Sequence, residues 1–257
     1  MKRVMLSALP EGLPEELARF CRGAPIYDSS CSPEARVLYI ERDGGYFLKS
    51  APAGTLKKEA DLTAYFHSKG LSCAVAGYLS GERDFLLTER IVGEDCTFHR
   101  YLEEPKRLAG LLGERLRMLH EEGCEGCPVA DRMSDYFATA EQNYKRGAFD
   151  LSFSEFDTPE EAFNYAMSLK SRFKRDTLLH GDYCLPNVIL DGFRFSGFID
   201  LGCGGVGDRH VDLFWGAWTL KFNLKTDSYK NIFYDAYGRE LVDEEMIRAI
   251  GAAEVFG

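Results

Sequence analysis

Leucines at positions 108, 111, 112, 116 and 119 recur at spacings of three and four, so one apolar stripe runs from about Phe98 to Glu122 and predicts a core-facing helix. Shorter helical patterns cover 14–22, opened by Pro14 and two glutamates, and 55–69, where Leu56, Leu62, Tyr65 and Phe66 recur. Others cover 131–145, 158–172 and most of the chain beyond Val211, ending in a helix around 244–255. Elsewhere the period drops to two. Arg36 to Arg42 is rich in β-branched and aromatic residues, Asp43-Gly44-Gly45 is a hairpin signal, and Tyr46 to Lys49 returns. Ala74 to Leu79 and Asp84 to Glu89 predict two more strands split by Ser80-Gly81-Glu82. Strands with one main helix come first and helices follow, which predicts an α+β fold with a small antiparallel-sheet lobe and a larger, mainly helical lobe. The irregular, polar stretch Arg90 to Asp95 is the expected crossing, giving lobes 1–92 and 93–257.

Composition changes this picture little, but charge adds to it. The chain has 257 residues, 45% hydrophobic and 28% charged, as expected of a globular protein with ample core. A net charge of -10 argues against nucleic acid as a partner and for a positively charged small substrate. Eight cysteines are scattered, and the single C-x-x-C, Cys124 to Cys127, lacks the second pair of a zinc ribbon, so loop thiols in a reducing compartment are expected. The N-terminal stretch has no sustained apolar core before Pro10, and no run is long enough to span a bilayer. A soluble, cytoplasmic protein with no signal peptide and no membrane partner is expected.

Candidate chemistry gathers between Leu178 and Leu213. Asp182 follows His180-Gly181, Asn187 lies five residues on, and Asp200 closes the apolar run Phe198-Ile199 after a hairpin-like pair around Asp191-Gly192. Two hard oxygen donors with nucleotide phosphates suit Mg²⁺, and the remaining carboxylate suits orientation of a hydroxyl nucleophile. Upstream, Lys49 on a strand and Glu59 on the next helix have the placement of an ion pair that holds a lysine on phosphates, or are two solvated surface charges. The serine-rich run Asp28 to Ala35 is a surface turn or a loop that presents hydroxyls and N–H groups to phosphates. The stretch Gly147 to Asp157 mixes acids and aromatics, as a cation-binding loop or as a capped connection. His120 closes its helix as a capping or packed residue.

These residues together resemble the aminoglycoside phosphotransferases, most closely the 3'-phosphotransferase branch. The resemblance runs over nearly the whole chain through YFLKS (46–50), LKKEADLTAYF (56–66), LLTERIVGED (86–95), RMLHEEGCEGCPV (117–129), LLHGDYCLPNVIL (178–190) and FSGFIDLGCGGVGDRHVDL (195–213). It implies a bilobal protein-kinase-like fold and transfer of phosphate from ATP, or GTP, to a hydroxyl of the drug, conferring resistance. By that similarity Asp182 is the catalytic carboxylate, and Asn187 and Asp200 hold Mg²⁺. Lys49, paired with Glu59, holds the nucleotide phosphates beneath a loop carrying Ser29, Ser30 and Ser32. The adenine ring sits at the crossing, at Glu89 and Ile91. Asp150, Glu155, Asp157 and Glu254 match the acidic positions that bind the polycationic drug, and Asp208 and Asp212 also fit the pattern after the metal aspartate.

Three departures fall on the substrate side. Cys203 stands where an arginine is common, Asn223 where an acid is common, and Gly257 follows a phenylalanine that often ends the chain. A kinase of the same fold acting on another small hydroxyl compound, an amino alcohol or a sugar, is the alternative. A nucleotide-binding module without catalysis is disfavoured because Lys49, Asp182, Asn187 and Asp200 are all present. A protein kinase is disfavoured because no activation-segment motif follows Asp200.

Overall fold

The computed structural model describes residues 4–31 and 35–257, which divide into two units. The first comprises Met1–Gly93 and Ser196–Gly202, the second Glu94–Phe195 and Cys203–Gly257. A single cut at the crossing, as the sequence suggests, misses the return of seven residues around Asp200 to the first unit.

In the first unit β1 (Val4–Met5), α1 (Glu15–Cys21), β2 (Ile26–Asp28), β3 (Arg36–Ile40), β4 (Tyr46–Pro52), α2 (Lys57–Ser68), β5 (Val75–Ser80) and β6 (Arg83–Glu89) follow in order. The strands form one antiparallel sheet in the order β1-β2-β3-β4-β6-β5. Alternation along β4 decides what each face carries. Leu48 pairs with Leu38 and Leu87 and packs with Leu17 and Cys21 of α1. Ala51, two residues from Lys49, packs with Leu86, Leu56 and Ala60 at the start of α2. Lys49 therefore points to the α2 side. Leu62 and Phe66 of α2 are fully buried, each worth roughly 1.5–3 kcal/mol. Phe66 meets Phe198 edge-on at 6.4 Å, while Phe198 N–H donates to Leu71 O (2.8 Å) and Ser72 Oγ donates to Phe198 O (2.7 Å). Those contacts are what return 196–202 to this unit.

The second unit begins with β7 (Glu94–Asp95), α3 (His99–Leu102), α4 (Pro105–His120), α5 (Arg132–Arg146) and α6 (Pro159–Leu169). Then come β8 (Thr177–Leu179), β9 (Val188–Asp191), β10 (Arg194–Phe198), whose last three residues belong to the first unit, β11 (Gly205–Gly207), α7 (His210–Leu224), α8 (Lys230–Tyr237) and α9 (Glu244–Glu254). The helix expected over 98–122 is split in two, because Pro105 lacks an N–H and its ring clashes with a preceding helical turn. Proline at a first helical position is favourable, so α4 starts there. α5 is capped by Asp131, which accepts from Ser134 N–H, and stopped by Gly147. α4 and α8 pack backbone to backbone, since a Cβ on Gly113 would lie 2.3 Å from Phe233 O. The helical core joins Phe137, Ala162, Phe173, Val211, Ile250 and Phe256. β8 pairs antiparallel with β11, and β9 lies between β7 and β10. Among the described residues no helix is long and apolar enough to cross a membrane.

Candidate functional site

In the first unit, Lys49, Glu59 and Asp200 meet. Lys49 Nζ lies 2.8 Å from Glu59 Oε2 and 2.8 Å from Asp200 Oδ1. Burial works against the Lys49 charge, but Asp200 and then Glu59 outweigh it and hold the ammonium above its ordinary value. Burial pushes the Glu59 carboxyl up, Lys49 pulls it back, and the Asp200 charge pushes it up again. Both directions follow from one cation shared by two carboxylates. Asp200 sits in the left-handed region at φ 59, a conformation that a non-glycine residue holds only when its surroundings require it. Its carboxylate is 51% exposed, so it remains open to a further cation.

α2 is held at its start by Asp84, a residue the sequence had placed simply in a strand. Fully buried, its carboxylate accepts from Leu56 N–H (2.9 Å) and Ser80 Oγ–H (2.7 Å). Burial pushes the Asp84 carboxyl up, yet these donors prevail and lower it to about 2. An aspartate inside the run Asp84-Phe85-Leu86-Leu87 was the available signal.

The serine loop has its own internal bonds. Ser29 is buried, its N–H donating to Val37 O (2.8 Å), and Ser30 Oγ accepts from Val37 N–H (3.0 Å). Ser29 is enclosed while Ser30 is exposed with its Oγ occupied on one side by Val37 N–H, and Ser32 lies outside the described residues. Glu89 ends β6, exposed, with its N–H donating to Ala74 O (3.0 Å). Ile91 is half-buried against Gly197.

In the second unit, Asp182 and Asn187 meet. Asn187 Nδ2 donates to Asp182 Oδ2 (2.8 Å) and Asp182 O (3.0 Å), which leaves the Asn187 carbonyl oxygen directed elsewhere. The loop that carries them rests on a buried carboxylate. Asp212, with no exposure, accepts from His180 N–H (2.8 Å), Gly181 N–H (2.7 Å) and His120 Nε2–H (3.0 Å). Because Nε2 faces a carboxylate and burial lowers the His120 pKa, the ring is neutral and Nδ1 accepts from Tyr237 O–H (2.8 Å). Gly181 is required here, since its φ is 84 and a Cβ would lie 1.9 Å from Cys203 O. The Cys203 carbonyl also accepts from Arg132 Nε–H (2.8 Å). Asn223 Nδ2 bonds back to Thr219 O (2.8 Å) within α7.

The four acidic candidates separate. Glu254 Oε1 accepts from Tyr136 O–H (2.8 Å) and Trp215 Nε1–H (3.0 Å). Burial pushes the Glu254 carboxyl up to about 7 against these donors, and the Asp182 charge adds to the rise. Asp150 belongs beside it, for its N–H donates to Val255 O (2.8 Å) while its side chain caps Ser152 N–H (2.9 Å). Glu155 is instead paired with Arg248 (2.6 Å), and Asp157 is exposed. Asp208 accepts from His210 Nδ1–H (2.6 Å) and Lys174 N–H (2.7 Å), a structural pin. Tyr136, Trp215 and Arg248 carried no sequence signal, because their partners lie 118, 39 and 93 residues away in the chain. Cys124 and Cys127 close an ordinary turn, in which Cys127 N–H donates to Cys124 O (3.1 Å).

Known proteins are similar over nearly the same span. Residues 32–249 match the model of the phosphotransferase enzyme family. A probable aminoglycoside 3'-phosphotransferase of Lactococcus lactis subsp. lactis (strain IL1403) is 49% identical over 96% of each chain. An aminoglycoside 3'-phosphotransferase of Niallia circulans is 32% identical, covering 79% of this chain and 80% of its own. Among solved structures, an aminoglycoside-3'-phosphotransferase of type VIII aligns with TM-score 0.74 and 25% identity over 94% of this chain and 98% of its own. An aminoglycoside phosphotransferase of Streptomyces rimosus, solved in complex with ADP and streptomycin, aligns with TM-score 0.72 and 22% identity over 86% and 90%.

Proposed function

The chain belongs to the phosphotransferase enzyme family, with its kinase-like α+β fold, and we propose that it transfers the γ-phosphoryl group of ATP or GTP to the 3'-hydroxyl of an aminoglycoside, conferring resistance. The observation that carries this reading is that each unit supplies an intact half of the required machinery. Lys49, Glu59 and Asp200 form a charged cluster in one, and Asp182 and Asn187 form a bonded pair in the other. The relatives named as aminoglycoside 3'-phosphotransferases support the acceptor, and the ADP-bound neighbour supports the donor.

On this reading Asp182 orients the acceptor hydroxyl and takes its proton, and the amide of Asn187 fixes the carboxylate for that task. Lys49 neutralises phosphate oxygens, and Glu59 keeps its ammonium charged and in place. By donor chemistry Asp200, with a half-exposed carboxylate, and Asn187, with an amide oxygen not used by Asp182, would each offer a hard oxygen to Mg²⁺, an ion that keeps phosphates and waters as its other ligands. When bound, it would neutralise charge on the β- and γ-phosphates. On this reading Glu254 and Asp150, joined through the end of α9, would face the acceptor and attract its ammonium groups. The cytoplasm, which supplies nucleoside triphosphate and keeps thiols reduced, is the compartment this reading calls for.

Nucleoside diphosphate release with ATP and GTP, measured over aminoglycosides that have or lack a 3'-hydroxyl, tests the proposal. Turnover confined to acceptors with that hydroxyl is expected. Absence of turnover on every aminoglycoside overturns it.

A further inference from the structure

Gly113 lets α8 lie against α4 so closely that a Cβ on it would stand 2.9 Å from Tyr237 N. His120 follows seven residues later, two turns along the same face of α4. The close approach brings Tyr237, the last residue of α8, to the end of α4. There its hydroxyl reaches His120 Nδ1 at 2.8 Å, and the two rings meet edge-on at 5.5 Å. Arg117 Nη1 pins the same residue from α4 by donating to Tyr237 O (3.2 Å). Both rings are buried, so water offers neither a substitute partner.

The protons along this line have one consistent placement. Arg209, whose guanidinium can only donate, faces the Tyr237 hydroxyl. The Tyr237 hydrogen therefore turns to His120 Nδ1, which must be bare to accept it, and the single ring proton sits on Nε2 and goes to Asp212 (3.0 Å). Asp212 divides its charge between that proton and the N–H groups of His180 (2.8 Å) and Gly181 (2.7 Å), directly before Asp182. Burial, with help from the Arg209 charge, keeps the ring neutral against the pull of Asp212 and Asp208. A donor fixed on Nδ1 acts in the same sense, because it bonds only the neutral ring.

We propose that Tyr237 is a positioning residue for phosphoryl transfer: its O–H keeps His120 Nδ1 free of a proton, so that Asp212 keeps its hold on the backbone behind Asp182. The inference rests on Asp182 being the base, as proposed above, and extends the supporting structure of that base through two buried side chains to α8. Without the hydroxyl, the ring takes a second proton more readily. An imidazolium beside Asp212 then draws the carboxylate away from the His180 and Gly181 N–H groups.

Y237F keeps the ring contact and loses the O–H. Two measurements test the role: kcat from pH 6 to 8 at saturating ATP and aminoglycoside, and the nitrogen chemical shifts of the His120 ring over the same range. The kcat of Y237F should lie about tenfold below that of the unmodified protein at pH 6 and about twofold below it at pH 8, with KM for ATP unchanged. His120 should stay neutral, with its proton on Nε2, in the unmodified protein and titrate in Y237F. A kcat ratio independent of pH, with His120 neutral in both proteins, marks a merely structural role, and equal kcat throughout excludes any role; either overturns the proposal. If the unmodified protein turns over no aminoglycoside, the functional reading itself fails and the positioning role falls with it, whatever His120 shows.

Discussion

Lys49 Nζ stands 2.8 Å from Asp200 Oδ1, joining a sheet lysine to an aspartate 151 residues later in the chain. With Glu59 on its other side, the lysine is held charged and oriented before any nucleotide arrives. Removing the ammonium in Lys49→Met is expected to lower kcat/KM by about 10²–10³, the usual loss on deleting one preorganised donor. Glu59→Gln keeps the shape and loses the charge, so its effect should be smaller. Steady-state kinetics in ATP check both, and a Lys49→Met enzyme of normal activity would falsify the phosphate-binding role.

Asp182→Asn replaces the proposed base with an isostere that cannot take a proton. Turnover should fall by about 10²–10⁴. Calorimetric titration with ATP should still show binding, because the Lys49 cluster belongs to the other unit.

Asp212→Asn substitutes an amide where three donors converge on a carboxylate. One amide N–H must then face a backbone N–H, so the loop bearing Asp182 shifts. A fall in kcat of about tenfold or more, with little change in KM for ATP, is expected, since small misplacement of reacting groups is costly. Equal kcat in the folded variant would show that Asp212 does not position the loop.

Asp84→Ala removes an acceptor from Leu56 N–H and Ser80 Oγ–H in the interior and should destabilise the fold by about 2–4 kcal/mol, read by denaturant melts. The carboxyl is lowered to about 2 in the folded state, so its stabilisation is present above pH 4 and lost as pH falls from about 4 through 2. The variant should lack that part of the acid transition.

Glu254, raised to about 7, is protonated in mild acid and charged above neutrality. A cationic acceptor should therefore bind more tightly as pH rises from 6 to 8, with KM falling across that window. The sign for stability is opposite: the folded protein holds the proton more tightly than the unfolded chain, so the contribution present below about pH 4.5 is lost as pH rises through 7. In Glu254→Gln, KM should lose this part of its pH dependence, and a profile identical to that of the unmodified enzyme rules out Glu254 as its source.

Much of this chemistry was legible in the chain because short-range patterns carried it. HGD with an asparagine five residues on, and an aspartate closing an apolar strand, are short patterns readable in the sequence, and the structure brings Asp182 to Asn187 in one unit and Lys49 to Glu59 and Asp200 in the other. The serine loop and the acidic loop were harder. A hydroxyl or carboxylate in a loop is equally suited to an internal bond and to a ligand, and Ser30 and Glu155 proved to have internal partners in Val37 and Arg248.

The sequence by itself determined the alternation that turns Lys49 toward α2, the stripe that buries α4 and the residue types of the reacting groups, since each follows from local periodicity or local spacing. Only the tertiary structure decided which carboxylates are available. Asp84 and Asp212 are enclosed among backbone donors, Glu155 is neutralised by Arg248, Glu254 is held near neutrality by burial, and Asp200 is left half exposed. A carboxylate's proton affinity and reach depend on what surrounds it in space, and those neighbours come from segments dozens of residues distant in the chain.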